Sequence, residues 1–144
     1  MLDNVFYDTN IFVYLGLKPK TETDRRKREI SRDLLSSNQH NIFISYQVIN
    51  ETSNVLLKKS SLETDEIIEF LQLILKVVNL APFNSEVTFD ALELHSRHQL
   101  AFYDSLIVAS AIAAGCSQLI TEDLQNQQVI NFKSHRLQVL NPFD

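Results

Sequence analysis

The sequence predicts an α/β fold, a small three-layer α/β/α domain built on a central parallel sheet. Short, continuously apolar runs alternate with longer stretches of helical periodicity, the pattern of strands that helices cover on both faces. At 144 residues the chain can bury one hydrophobic core but not two, so residues 1–144 are read as a single domain. With 44% hydrophobic and 22% charged residues and no low-complexity tract or linker, the whole of it is expected to fold.

The elements follow in order. Residues 4–7 form a first strand that ends in Asp8-Thr9-Asn10, after which Ile11, Phe12, Tyr14 and Leu15 take helical spacing up to Gly16. Thr23 is placed to cap a second helix running to about residue 36. Ile30 and Leu34 mark its inner side, and Arg25, Arg28 and Arg32, at i, i+3 and i+7, line up nearly opposite. Residues 41–44 make the next strand; Ser45 caps a helix to about residue 59, and Thr64 caps another to about residue 78. Pro82 and Asn84 separate that helix from one over residues 85–99. Residues 103–114 are apolar on all sides and predict a buried helix, closed by Gly115 and followed by a strand over residues 118–121. A last strand, residues 137–140, ends at Asn141-Pro142.

Composition removes several function classes. Gly16 and Gly115 are the only glycines, so neither the phosphate loop nor the dinucleotide fingerprint can be written. The lone Cys116 permits no internal disulfide and no cysteine zinc site, which predicts a reducing cytoplasm. The longest apolar stretch, residues 105–116, is shorter than the roughly 20 residues of a membrane span, and Met1-Leu2-Asp3-Asn4 carries no leader pattern; no membrane partner is expected. The formal charge of −5 argues against a nucleic-acid partner until its distribution is read. Residues 18–32 carry +4 and the remainder −9, an acidic site beside a basic strip.

Four carboxylates occupy telling positions: Asp8 after the first strand, Glu51 within a helix, Asp104 at the mouth of the buried helix and Asp123 after a late strand. Ligand crevices in open parallel sheets lie outside the carboxyl ends of strands, where residues distant in sequence converge. Gathered carboxylates repel unless a cation neutralises them, and oxygen-only ligands favour Mg²⁺ or Mn²⁺ over zinc. Such an ion activates water and stabilises phosphate charge without a His, Ser or Cys nucleophile, which points to phosphodiester hydrolysis. Each residue also has a plainer reading. Asp8 and Asp104 suit helix caps, Asp123 suits a turn and Glu51 an exposed helix face, although Val48 and Val55 put Glu51 at the edge of the buried stripe.

Five blocks then resemble one family in order: Val5-Phe6-Tyr7-Asp8-Thr9-Asn10-Ile11, Ile44 to Glu51, Tyr103-Asp104-Ser105 to Ala111, Leu119 to Leu124, and Asn141-Pro142-Phe143. They look like PIN-domain ribonucleases of the VapC toxin type. The resemblance implies a PIN-like fold, RNA cleavage dependent on Mg²⁺ or Mn²⁺ that leaves a 5′-phosphate and a 3′-hydroxyl, and control by a cognate antitoxin. It carries metal-binding and catalytic roles onto Asp8, Glu51, Asp104 and Asp123, with Asn10 and Thr121 as polar supports. Ser105 departs from the usual alanine, and Asn131-Phe132 stands where relatives often have glycine.

The remaining expectations concern surfaces. Arg25, Arg28 and Arg32 are candidates for the RNA backbone, with a solvated helix face as the alternative. His95 and His98 lack a third metal ligand and are read as surface residues. Tyr7, Tyr46 and Tyr103 abut site motifs and are read as core in preference to base-stacking residues. The helix from residue 64 is apolar over more than one sheet face can bury, which predicts a homodimer. Two other functions compete with the nuclease: a non-catalytic PIN-like interaction domain, and a receiver or phosphatase. The latter lacks its acidic pair or Asp-x-Asp motif, the chain having Asp8-Thr9-Asn10.

Overall fold

The computed structural model describes residues 2–144; Met1, the first residue of the N-terminal segment read above, lies outside them. Among the described residues are six strands and six helices: β1 (Asp3–Tyr7), α1 (Thr9–Gly16), α2 (Glu22–Ser36), β2 (His40–Ile44), α3 (Tyr46–Lys59), α4 (Thr64–Leu75), β3 (Asn79–Leu80), α5 (Ser85–His98), α6 (Phe102–Ala113), β4 (Gln118–Ile120), β5 (Val129–Phe132) and β6 (His135–Leu140). They form one sheet in the order β3-β2-β1-β4-β6-β5, parallel throughout except for the antiparallel β5–β6 pair at the edge.

Consecutive strand residues point to opposite faces, and Val5, Phe6 and Tyr7 are all buried, as are Leu119 and Ile120. Both faces of the central strands are therefore covered. The helices sort accordingly into two packed groups, α5 against α6 and α1 against α2 and α3, with α4 on α3. The all-apolar α6 is buried along most of its length, and Gly115 after it takes φ +70°.

Several boundaries move for local reasons. Thr21, not Thr23, caps α2, its Oγ1 accepting from the Asp24 N–H at 3.1 Å. Glu63 precedes Thr64 as the cap of α4 in a reciprocal capping box with Glu66, and the helix stops at Leu75 instead of running to residue 78. Residues 79–80 then pair with β2 as β3, and Ala81 N–H extends this to the Ile44 carbonyl at 2.8 Å. The sheet is thus not wholly parallel, because β5 joins β6 through a tight turn at Lys133 and Ser134, φ 47° and 64°. Hairpin turns of this hand usually carry Asn-Gly, so the residue types hid it.

Candidate active site

β1 and β4 lie side by side with Tyr7 opposite Ile120, so the residues that leave them emerge together. The Asp8 N–H still bonds the Ile120 carbonyl at 3.0 Å, and the Thr121 N–H bonds Leu140 at 3.0 Å, carrying the ladder to the very edge of the site. Asp8 is buried. Its Oδ1 accepts from the Thr9 N–H at 2.7 Å and starts α1, while its Oδ2 accepts from the Thr121 hydroxyl at 2.7 Å. The cap reading of Asp8 is therefore correct, and it coexists with a second oxygen committed to the crevice.

Thr121 is fully buried and also accepts from the Asp123 N–H at 3.0 Å, so one hydroxyl positions both aspartates. Burial pushes the Asp8 carboxyl up to about 6, with the charges of Asp123 and Glu51 acting in the same direction and the Thr121 and Thr9 bonds opposing them. Asp123 is open to solvent, yet desolvation raises it too, followed by the charges of Asp104, Glu122 and Glu51. The Asn10 amide counters this from nearby; it has no other partner, and neither of its polar atoms meets a well-aligned hydrogen bond.

Asp104 does not cap α6. Ala101 holds the cap position, and Asp104 lies in the first turn with its carboxyl raised by burial. Glu51 is exposed on α3, where Gln47 Nε2 donates to it at 2.6 Å and to the Tyr103 carbonyl at 3.2 Å, tying α3 to the start of α6. Thr121 joins Asp8 and Asp123, the Asn10 amide lies beside Asp123, Glu51 acts on the Asp8 and Asp123 carboxyls, and Asp104 acts on that of Asp123. Among the described residues no three His, Cys, Asp or Glu side chains form a ready-made metal-ligating group. An ion such as Mg²⁺, which keeps several waters and takes only one or two carboxylates directly, needs no such group. The oxygen-only donors, the desolvated Asp8 and the unpartnered Asn10 amide fit such an ion.

A second charge network borders the first. The Lys27 ammonium bonds Glu122 at 2.9 Å and the Tyr14 hydroxyl at 3.1 Å, and Tyr14 donates to Glu122 at 2.5 Å. Lys27 also lies over the rings of Tyr14 and Phe143, so α1, α2, the loop after β4 and the C-terminal segment meet around it. Sequence reasoning missed these residues. The signal was present: Lys27 stands at i−3 from Ile30 and i−7 from Leu34, on the inner stripe of α2. Of the arginine strip, Arg25 pairs with Glu22 at 2.9 Å and Arg32 is exposed, whereas Arg28 is half-buried with Nε unpartnered. Tyr7 is core, bonded to the Leu34 carbonyl at 2.9 Å, but Tyr46 and Tyr103 are exposed, contrary to the expectation for them.

The PIN domain family model matches residues 5–131. The chain belongs to the PIN domain family. Among curated protein sequences none matches significantly. This PIN domain is similar in fold to Mycobacterium tuberculosis VapC20, described as a sarcin-ricin loop cleaving toxin, with TM-score 0.64 and 19% identity over 80% of this chain and 86% of the other. It is similar to a chain of VapBC2 from Rickettsia felis bound to a promoter DNA fragment, with TM-score 0.63 and 22% identity over 96% and 99%. A toxin-antitoxin complex from Klebsiella pneumoniae gives TM-score 0.66 and 17% identity over 96% and 97%. Membership of the PIN family removes the receiver and phosphatase readings. Among the described residues no helix of this PIN domain is long and apolar enough to cross a membrane.

Proposed function

We propose that this PIN domain is a divalent-metal-dependent ribonuclease that hydrolyses RNA phosphodiester bonds in the cytoplasm, as the toxin of a toxin–antitoxin pair. The observation that supports it most is the Thr121 hydroxyl joining the buried Asp8 carboxylate and the Asp123 backbone at the edge of β1 and β4, in a fold similar to VapC toxins. Asp8, Asp104 and Asp123 hold Mg²⁺ or Mn²⁺ directly or through water, and Glu51 holds a second ion or orients the attacking water. Such an ion, when bound, lowers the pKa of a water and offsets phosphate charge.

The chain's own residues do the remainder. Thr121 locks the Asp8 carboxylate and the Asp123 backbone in fixed relation, and the Asn10 amide, without a hydrogen bond of its own, is placed to hold a carboxylate or a water. Gln47 holds Glu51 in place. Lys27 neutralises Glu122, so that the crevice carries four unpaired carboxylates instead of five. Arg25, Arg28 and Arg32 hold the RNA backbone, an antitoxin is the protein partner, and a second copy of the chain packs on α4. Asp104→Asn is the direct test, because Asp104 caps no helix and asparagine is nearly isosteric with it. Metal-dependent cleavage should fall by at least about a hundredfold while the metal-free melting temperature is held or rises, since a repelling charge is removed. Undiminished cleavage in that variant would take the activity away from Asp104, and no metal-dependent cleavage by the parent would leave the non-catalytic interaction domain as the better reading.

A further inference from the structure

Beside Glu51 a groove of about 570 Å³ opens between the start of α3, the loop before α5 and the start of α6. Three aromatic side chains line it and remain exposed: Tyr46 at 49%, Phe83 at 78% and Tyr103 at 67%. Their arrangement is propped from behind. Tyr46 meets Phe83 edge-on at 6.1 Å and 76°, and Phe102 meets Tyr103 at 5.4 Å and 71°. Gln47, Asn50 and Asn54, at i, i+3 and i+7 on α3, place three amides along the same groove. The Gln47 amide is fixed through its Nε2, and its Oε1 has no partner among the described residues.

The charge pattern selects the occupant. No Lys or Arg lines the groove, and its one ionisable acid, Glu51, repels phosphate, so a nucleic-acid backbone does not bind there. Flat, uncharged ring systems with hydrogen-bonding edges match exposed aromatics and side-chain amides, which is how single-stranded bases are stacked and read. We propose that this groove receives an unpaired RNA nucleobase flanking the cleaved bond, stacked on Tyr103 and Phe83 and contacted at its edge by Gln47, Asn50 and Asn54. The subsite rests on the ribonuclease reading and deepens it. It supplies sequence preference next to the scissile phosphate, because Glu51 belongs to both groove and acidic crevice.

The test uses a single-stranded RNA whose Mn²⁺-dependent cleavage site has been mapped with the parent protein, and the same RNA with an abasic residue beside that site. Tyr103→Ala and Phe83→Ala should each lower kcat/KM on the intact RNA about tenfold, while Tyr103→Phe keeps most of the activity. The parent should lose a similar factor on the abasic RNA, where the alanine variants lose nothing more. Because both side chains protrude into solvent, an unchanged melting temperature verifies each variant's fold. Equal cleavage by parent and variants, or losses that multiply on the abasic RNA, overturn the subsite alone. So do variants that cleave normally but sediment as smaller species or lose an antitoxin, since the groove would then be a protein interface. Failure of the parent to cleave any RNA with metal overturns the ribonuclease reading and the subsite with it.

Discussion

The Thr121 hydroxyl works in both directions, donating to Asp8 Oδ2 and accepting from the Asp123 N–H, and a valine there would leave both groups without their partner. Removing one member of a buried hydrogen bond to a carboxylate costs about 1–3 kcal/mol. Asp8 itself gives a pH prediction. Its native pKa of about 6 lies above the ordinary 3.8, so the folded state holds the proton more tightly than the unfolded chain. The stability contributed is full below about pH 4 and is lost as the pH rises through 6, about 3 kcal/mol in all. In chelator, the melting temperature should fall across that window, and Asp104 and Asp123, both also raised by burial, add in the same direction. Asp8→Asn keeps a capping oxygen for Thr9 and should flatten much of the curve. A thermal melt series from pH 4 to 7 in EDTA checks this; a melting temperature that rises with pH contradicts it.

At the scale of elements, the β5–β6 turn shows where residue type and backbone disagree. Lys133 and Ser134 both take left-handed φ, a conformation that costs an ordinary residue about 1–2 kcal/mol. Lys133 pairs with Asp90 at 2.7 Å and lies over the Phe132 ring, exposed contacts that recover only a small share of its cost. Ser134 has no such compensation. Ser134→Gly should therefore stabilise the protein by about 1 kcal/mol, measured by urea unfolding. Its element was invisible in the sequence for the same reason, since no glycine or asparagine announced the turn. The start of α3 was legible because a side chain makes the cap, Ser45 accepting from the Val48 N–H as expected, whereas Asn84, read only as a separator, caps α5 in the same way. At α2 the expected cap, Thr23, lies inside the helix, and Thr21 two residues earlier accepts from the Asp24 N–H instead.

On the scale of the whole molecule, Ile68, Leu73, Leu75 and Val77 remain exposed on and just after α4, as the surplus apolar surface of that stretch predicted. Leu73→Glu and Leu75→Glu, tested separately, should each shift sedimentation toward the monomer without lowering the melting temperature of a dilute sample. If every folded variant sediments like the parent, this face is not the homodimer contact. The basic strip gives a second whole-molecule prediction. Replacing Arg25, Arg28 and Arg32 together with Gln should weaken RNA binding and flatten its dependence on log salt by about 0.7 per lost phosphate contact. An unchanged slope makes the strip a solvated face.

The sequence by itself determined the layered α/β class, the buried α6 and the order of the motifs. These follow from periodicity, from Gly115 and from side chains that cap their own helices, all local properties of the chain. Tertiary structure alone decided that Thr21 starts α2, that β5 runs antiparallel, and that Lys27 faces Glu122 and not solvent. It likewise decided that Tyr7 is buried while Tyr46 and Tyr103 flank an open groove. Aromatic residues beside strand ends are equally at home in core or cleft, and which they occupy depends on how closely α3, α5 and α6 approach. That is set by packing between segments tens of residues apart, on which no local pattern reports.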